Sequence, residues 1–154
     1  MSKLDLESLD VRVGKQVMRG KIQEFEDELL KHPQVELELI QHFCAGVYLR
    51  ELHIPAGILL SGKIHKFPCL NIVPVGDIEV VTEQGIKRIQ GPAVFTSPAG
   101  VKRAARTFRD TIWITVHANP DNLERDSAAM ADLLTVPSYE LLESHSSKVE
   151  SEQD

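Results

Sequence analysis

Cysteine is nearly absent from this chain: Cys44 and Cys69 are the two thiols among 154 residues. Two cysteines make no disulfide framework of the kind that staples small secreted domains, so free thiols in a reducing compartment are expected. Basic residues are outnumbered, 17 Lys and Arg against 23 Asp and Glu, for a formal charge of −6. That balance excludes general nucleic-acid affinity, which needs a basic face, although a local basic cluster inside an acidic protein remains open. No apolar run is long enough to span a bilayer, and the opening Met1-Ser2-Lys3-Leu4-Asp5 does not read as a signal peptide. A cytoplasmic protein with no membrane partner is expected.

What remains is ordinary for a globular domain: 42% hydrophobic and 26% charged residues, in a length that supports one real core. Met18, Ile22, Phe25 and Leu29 step by four, three and four residues, one stripe of an amphipathic helix over 17–31 that ends before His32-Pro33. The first dozen residues show no firm pattern. From Val35 to Ala118 short strand-like runs alternate with glycine and proline turns, which indicates a sandwich or closed barrel rather than a parallel sheet. Runs at 70–75 and 77–82, and again at 102–108 and 111–117, read as separate strands, the latter pair joined at Arg109-Asp110. Asn119-Pro120-Asp121 has the chemistry of a helix N-cap and first turn, predicting a helix to about Leu134. The organisation expected is a helical segment over 1–34, a β-barrel over 35–118, a C-terminal helix over 119–143 packed on it, and a disordered tail over 144–154.

One stretch is more specific. Gly57 is followed by five residues, Lys63-Ile64-His65, three residues, Cys69, six residues and Gly76. A second stretch runs Gly91, six residues, Pro98-Ala99-Gly100, two residues, Arg103. Their spacing and order resemble the two motifs of the cupin superfamily. The resemblance implies an all-β jelly-roll barrel with flanking N- and C-terminal helices. In metal-binding cupins the first motif carries two histidines and a glutamate and the second a further histidine, together holding a divalent metal. Here Lys63, Cys69 and Arg103 stand at three of those positions and His65 alone is kept, so the resemblance implies a dismantled metal site. From Gln41 to about residue 120, including Gly62-Lys63-Ile64-His65-Lys66 and Asp110-Thr111-Ile112-Trp113, the chain also resembles small single-domain cupins encoded by tailed bacteriophages and prophages. That group implies a compact cupin in the host cytoplasm and brings no activity.

Alternation decides which side chains meet. Lys63 and His65 share a face with Ser61; Tyr48 and Arg50 share one with Leu52 and Ile54; Arg103 shares one with Ala105 and Thr107. In 111–117 either face, Ile112-Ile114-Val116 or Trp113-Thr115-His117, suits the interior. The expected ligand pocket therefore holds Tyr48, Arg50, Lys63, His65, Cys69 and Arg103, with Trp113 and His117. Plainer roles stay open: Lys63 as a solvated charge at the mouth, Arg103 paired to a carboxylate, His65 as a hydrogen-bonded interior histidine, Cys69 as a small buried hydrophobe, Trp113 as core. His42 and His53 read as surface or structural.

Three buried cations without partners are costly, so they call for an anion. The leading expectation is a binding protein for a small phosphate- or carboxylate-bearing ligand, a nucleotide included, acting as a sequestering protein and forming a homodimer, with no cofactor. The alternatives are a metallo-enzyme with a divalent metal on His65, Cys69 and His117, a metal-free isomerase or epimerase with His65 as base and Tyr48 as acid, and an assembly protein of a virion.

Overall fold

The computed structural model describes residues 3–144, with side chains from Lys15 onward; of the expected tail, residues 145–154 lie outside the described residues. The elements in order are α1 (Lys3–Leu29), β1 (Glu38–Cys44), β2 (Gly46–Ile54), β3 (Leu59–Ser61), β4 (Ile64–His65), β5 (Cys69–Thr82), β6 (Gly85–Gln90), β7 (Ala93–Ser97), β8 (Ala104–Asn119), α2 (Ser127–Leu134) and β9 (Thr135–Val136). No described helix is long and apolar enough to cross a membrane.

The antiparallel, β-rich character expected of the sequence is what forms, but two pairs of expected strands fuse. β5 and β8 are long strands that pair with each other from Leu70–Val116 at one end to Val81–Ala104 at the other. Half of the sheet has the order β1-β2-β8-β5-β7, and the other half has β3-β8-β5-β6. Among the described residues no ladder joins the two edges, so the expected barrel is a sheet folded over its own interior rather than one closed by hydrogen bonds. Arg109-Asp110 belongs to the bend of β8 and makes no hairpin.

The fold-over happens where the register shifts, between Ile72 and Ile78 on β5. Gly76 sits there with φ +138°, and a Cβ on it would lie 2.4 Å from the Thr111 hydroxyl oxygen. Thr111 accepts from the Asp77 N–H (3.2 Å) and donates to the Arg109 carbonyl (2.9 Å), so one hydroxyl ties both strands at the bend. Glycine is required here twice over, by its dihedral and by the missing space.

The interior core comprises Ile54, Val73, Ile78, Val80, Ile89 and Trp113. A second cluster at one end joins Tyr48 to Met130 and Leu134 of α2. α1 extends much further towards the N-terminus than the periodic stripe predicts, and its C-terminal half lies against the outer face of the sheet. Ile22 is buried, and Met18 and Phe25 flank Leu59, Val81 and Ala104. The helix is held by polar contacts as well: Lys102, itself buried, donates to Glu26 (3.0 Å) and Gln23 (3.3 Å), and the Ser61 hydroxyl donates to Glu26 (2.7 Å).

At the C-terminal side the helix expected from Asn119 begins only at Ser127, capped by Asp126, whose carboxylate accepts from the Ala129 N–H. The Asn119 side chain instead closes a loop on Leu123, accepting from its N–H (3.1 Å) and donating to its carbonyl (3.0 Å). The cap chemistry was real but served a loop, as asparagine side chains commonly do. A short helical segment follows at 139–144.

Gly76→Ala is expected to lower unfolding free energy by about 3 kcal/mol, combining backbone strain with overpacking, read as a lower urea midpoint. Adding Thr111→Ala should cost less than the sum of the two changes, since it removes the clash. A Gly76→Ala protein of unaltered midpoint would contradict this account of the bend.

Candidate functional site

Cross-strand register assembles the site. Tyr48 faces His117, Arg50 faces Thr115 and Leu52 faces Trp113, and paired residues on antiparallel strands point to one side. That side is the interior: Tyr48, Ile54, Trp113 and His117 are buried. The Ile112-Ile114-Val116 face is therefore the outer one. Glu51 also points outward, where it contacts His42 (3.3 Å) and His53 (2.6 Å).

The motif strand is not continuous. It breaks after Ser61 and resumes as β4, which pairs with β9, Ile64 opposite Val136 and His65 opposite Thr135. On its other side the His65 carbonyl accepts from the Gly100 N–H (2.8 Å), and the Lys66 N–H bonds the Leu134 carbonyl (2.8 Å). The backbone of His65 is thus gripped by the Pro98-Ala99-Gly100 turn and by the chain end of α2.

Between the sheet halves lies a cavity of about 410 Å³. Its cationic lining is Arg50, Lys63 and Arg103; Leu52, Ile54, Leu60, Ile78, Val80 and Trp113 supply an apolar wall, and His65 is at its edge. No aspartate or glutamate lines it. Lys63 is exposed at the mouth, which is its plainer role. Arg103 donates to the Ser97 hydroxyl and lies 5.3 Å from the Trp113 ring centroid. Ser97 in turn accepts from Asn71 (2.8 Å), and Asn71 accepts from the Trp113 indole N–H (3.2 Å). This closed chain of neutral partners fixes the guanidinium and the indole together. The Arg50 Nε is buried and has no hydrogen-bond partner.

Three of the expected pocket residues are not in the lining. Tyr48, Cys69 and His117 lie behind it, in a stack of rings that runs Phe43–Tyr48 (5.1 Å between centroids), Tyr48–His117 (6.0 Å) and His117–His65 (5.4 Å). Phe43, Met130 and Leu134 seal Tyr48 from solvent, and its hydroxyl donates to Gln41 (2.6 Å). Tyr48 is therefore no wall of the cavity and no acid facing it. The Cys69 sulfur is 3.8 Å from His65 Nδ1. Burial above all, then the charge fields of His117, Arg103 and Arg50, lowers the pKa of His65 to about 4. Burial and then Arg50 do the same for His117, also to about 4. Burial pushes the Cys69 thiol up, with Arg103 opposing, and burial pulls the Arg103 guanidinium down. The cluster is two neutral imidazoles and a neutral thiol beneath two guanidinium groups.

The four-ligand metal set that the family resemblance implies does not fit these residues, because Lys63 and Arg103 carry cations where it needs donors. A different trio is in reach: ligand atoms of His65, Cys69 and His117 all lie within 4.8 Å of one another. Residues that the sequence did not single out are Asn71 and Ser97, and Ser127, Ala128, Ala131 and Thr135 on the cavity rim. Asn71 had a signal, an amide at an inward position of an otherwise apolar run. The rim residues had none, since their placement depends on where α2 docks.

The histidines make stability pH-dependent. Their folded pKa values lie below the unfolded value of 6.5, so the unfolded chain binds more protons between about pH 6.5 and 4. Stability is full above pH 6.5 and falls as pH drops through that window, by on the order of 3 kcal/mol for one such residue and less than twice that for two coupled ones. Glu51 and Asp77, whose pKa values are lowered by their partners, lose their contribution only in the carboxylate range, so pH 5–6.5 isolates the imidazoles. His117→Phe keeps a ring in the stack and should flatten the slope of unfolding free energy against pH by about half; an unchanged slope would refute the assignment.

No family model matches the chain, and no curated protein sequence does. Similarity is found among solved structures. A cupin domain from Bordetella pertussis Tohama I is 14% identical with a TM-score of 0.46, over 57% of this chain and 98% of its own. KdgF from Halomonas sp. is 17% identical with a TM-score of 0.47, over 64% and 92%. The cupin domain of Schizosaccharomyces pombe Cnp3 is 18% identical with a TM-score of 0.46, over 56% and 71%. Two of these three structures are described as cupin domains, and at such values the similarity transfers no residue role and no activity.

Proposed function

We propose that this chain is a non-catalytic binding protein that holds a small organic anion in the cavity between its sheet halves. One observation carries the reading: Arg50, Lys63 and Arg103 line a cavity that no carboxylate lines. A buried guanidinium without a counter-charge or full hydrogen bonding is costly, and the Arg50 Nε has no partner at all. A carboxylate or phosphate in the cavity would supply the counter-charge. Catalysis by His65 has less support, since a general base needs an orienting partner, usually a carboxylate, and the contacts of His65 are a thiol and another imidazole.

A metal on His65, Cys69 and His117 is the second reading, favoured by the convergence of their ligand atoms and by the preference of zinc for nitrogen and sulfur donors. The nearby guanidinium charges oppose it. Elemental analysis decides: near-stoichiometric zinc that is lost in Cys69→Ser would put this reading first. A role as a homodimer has a surface to use, the outer face where Leu70, Val94 and Ile40 are exposed beside half-buried Leu49, Ile114 and Val116. Sedimentation of wild type against Leu70→Glu tests it, with a monomeric wild type as the contrary result.

Arg50→Met separates binding from folding. In the ligand-free protein it should raise stability by about 1 kcal/mol, because the buried, unpartnered Nε of a half-buried side chain is replaced by an apolar group. It should also abolish the rise in thermal midpoint that inorganic phosphate or small carboxylates give the wild type. A variant of lowered ligand-free stability and unaltered anion response would reject the proposal.

A further inference from the structure

The composition of the cavity wall narrows the anion. Besides its cations, the lining contains no Asp, Glu, Asn or Gln. A sugar ring or a nucleobase edge would find no side-chain carboxylate or amide to pair its hydroxyls and amines, and sites that read such groups are built from those side chains. The neutral hydroxyls on the lining are those of Ser61, which donates to Glu26, of Thr135, which donates to the Ala131 carbonyl, and of Thr115 and Ser127; these are single hydroxyls, without the paired donor and acceptor of an amide or the two acceptors of a carboxylate. The rest of the wall is hydrocarbon and indole: Leu52, Ile54, Leu60, Ile78, Val80 and Trp113. The cations are also unevenly placed. Arg103 lies 5.3 Å from the Trp113 ring centroid and Arg50 opposes Thr115, two residues along the same face of β8, while Lys63 is exposed at the mouth. The cavity is therefore amphipathic, with a guanidinium end and an apolar body.

We propose that the ligand is a monocarboxylate on a hydrocarbon body, such as an arylalkanoic or medium-chain alkanoic acid, and neither a nucleotide nor a sugar phosphate. This rests on the anion reading above. The carboxylate pairs with the guanidinium groups of Arg50 and Arg103, since guanidinium and carboxylate match in bidentate geometry. The body displaces water from the Leu52–Ile78–Trp113 wall, which contributes affinity in proportion to the apolar area covered. Trp113 is the one tryptophan of the chain, so its fluorescence reports occupancy at this wall.

The experiment is calorimetric titration of the full chain with 3-phenylpropionate, octanoate, methyl 3-phenylpropionate, glucose 6-phosphate and adenosine monophosphate, with Trp113 emission followed for the non-absorbing ligands. The two acids should bind at least tenfold more tightly than either phosphate, with a change in Trp113 emission, and the methyl ester should lose at least tenfold. Arg103→Lys, which keeps the charge and loses the fork, should weaken the acids about tenfold. Tighter binding of glucose 6-phosphate or adenosine monophosphate than of the acids would overturn the hydrocarbon-acid inference and leave the anion reading standing. An ester that binds as well as its acid would overturn both, as would the absence of saturable binding by every compound.

Discussion

The ladder between β5 and β8 continues across a bend, and the interior exists because of that continuity. Either strand alone could cross from one half of the sheet to the other; two that stay paired while crossing carry their neighbours with them and fold the sheet face to face. The crossing is possible because Gly76 has no side chain where Thr111 passes. From this pair of strands come Asn71, Ile78 and Val80 on one side and Ala105, Trp113 and Thr115 on the other. Backbone pairing thus sets where Arg50, opposite Thr115, stands against the apolar wall, whereas Lys63 and Arg103 sit in the short connections just before β4 and β8.

Against that rigid frame the electrostatics are unbalanced by design of the lining. Elsewhere in the molecule buried or half-buried charges are matched: Lys102 with Glu26, Arg88 with Asp77 in a two-pronged pair at 2.7 and 2.8 Å, Arg19 with Glu83. In the cavity the partners of Arg103 among the described residues are neutral, and burial first, with the guanidinium charges adding to it, keeps the histidines below unprotonated. On the anion-binding proposal, the missing carboxylate is the place that a ligand's own acid group would take.

Much of this was legible in the sequence. Period-two alternation placed Arg50, His65 and Arg103 towards a common interior, because side-chain direction in a strand follows from position alone, but it left open which face of 111–117, that of Trp113 or that of Ile114, turns inward. The motif glycines marked the turns and the bend. What alternation cannot give is depth: Tyr48, Cys69 and His117 share the inward direction but lie behind the lining, since α2 and Phe43 close the end of the fold above Tyr48. Nor could periodicity show that the runs on either side of Val75-Gly76 and of Arg109-Asp110 are single bent strands, because a bend with glycine or a charged pair looks like a turn when read locally. Asn119 misled for a related reason, since one asparagine side chain serves a helix cap and a loop closure with the same atoms.

The two-residue ladder between β4 and β9 has a consequence for how the molecule is made. His65 is held by Thr135, far later in the chain, and the rim of the cavity is completed by Ser127, Ala128 and Ala131 just before it. On a ribosome the sheet can collapse once β8 has emerged, yet the ligand cavity then lacks one wall and His65 lacks its clasp. The cavity's last wall and the clasp on His65 thus form only once the chain has been made through Val136, after the sheet itself can fold.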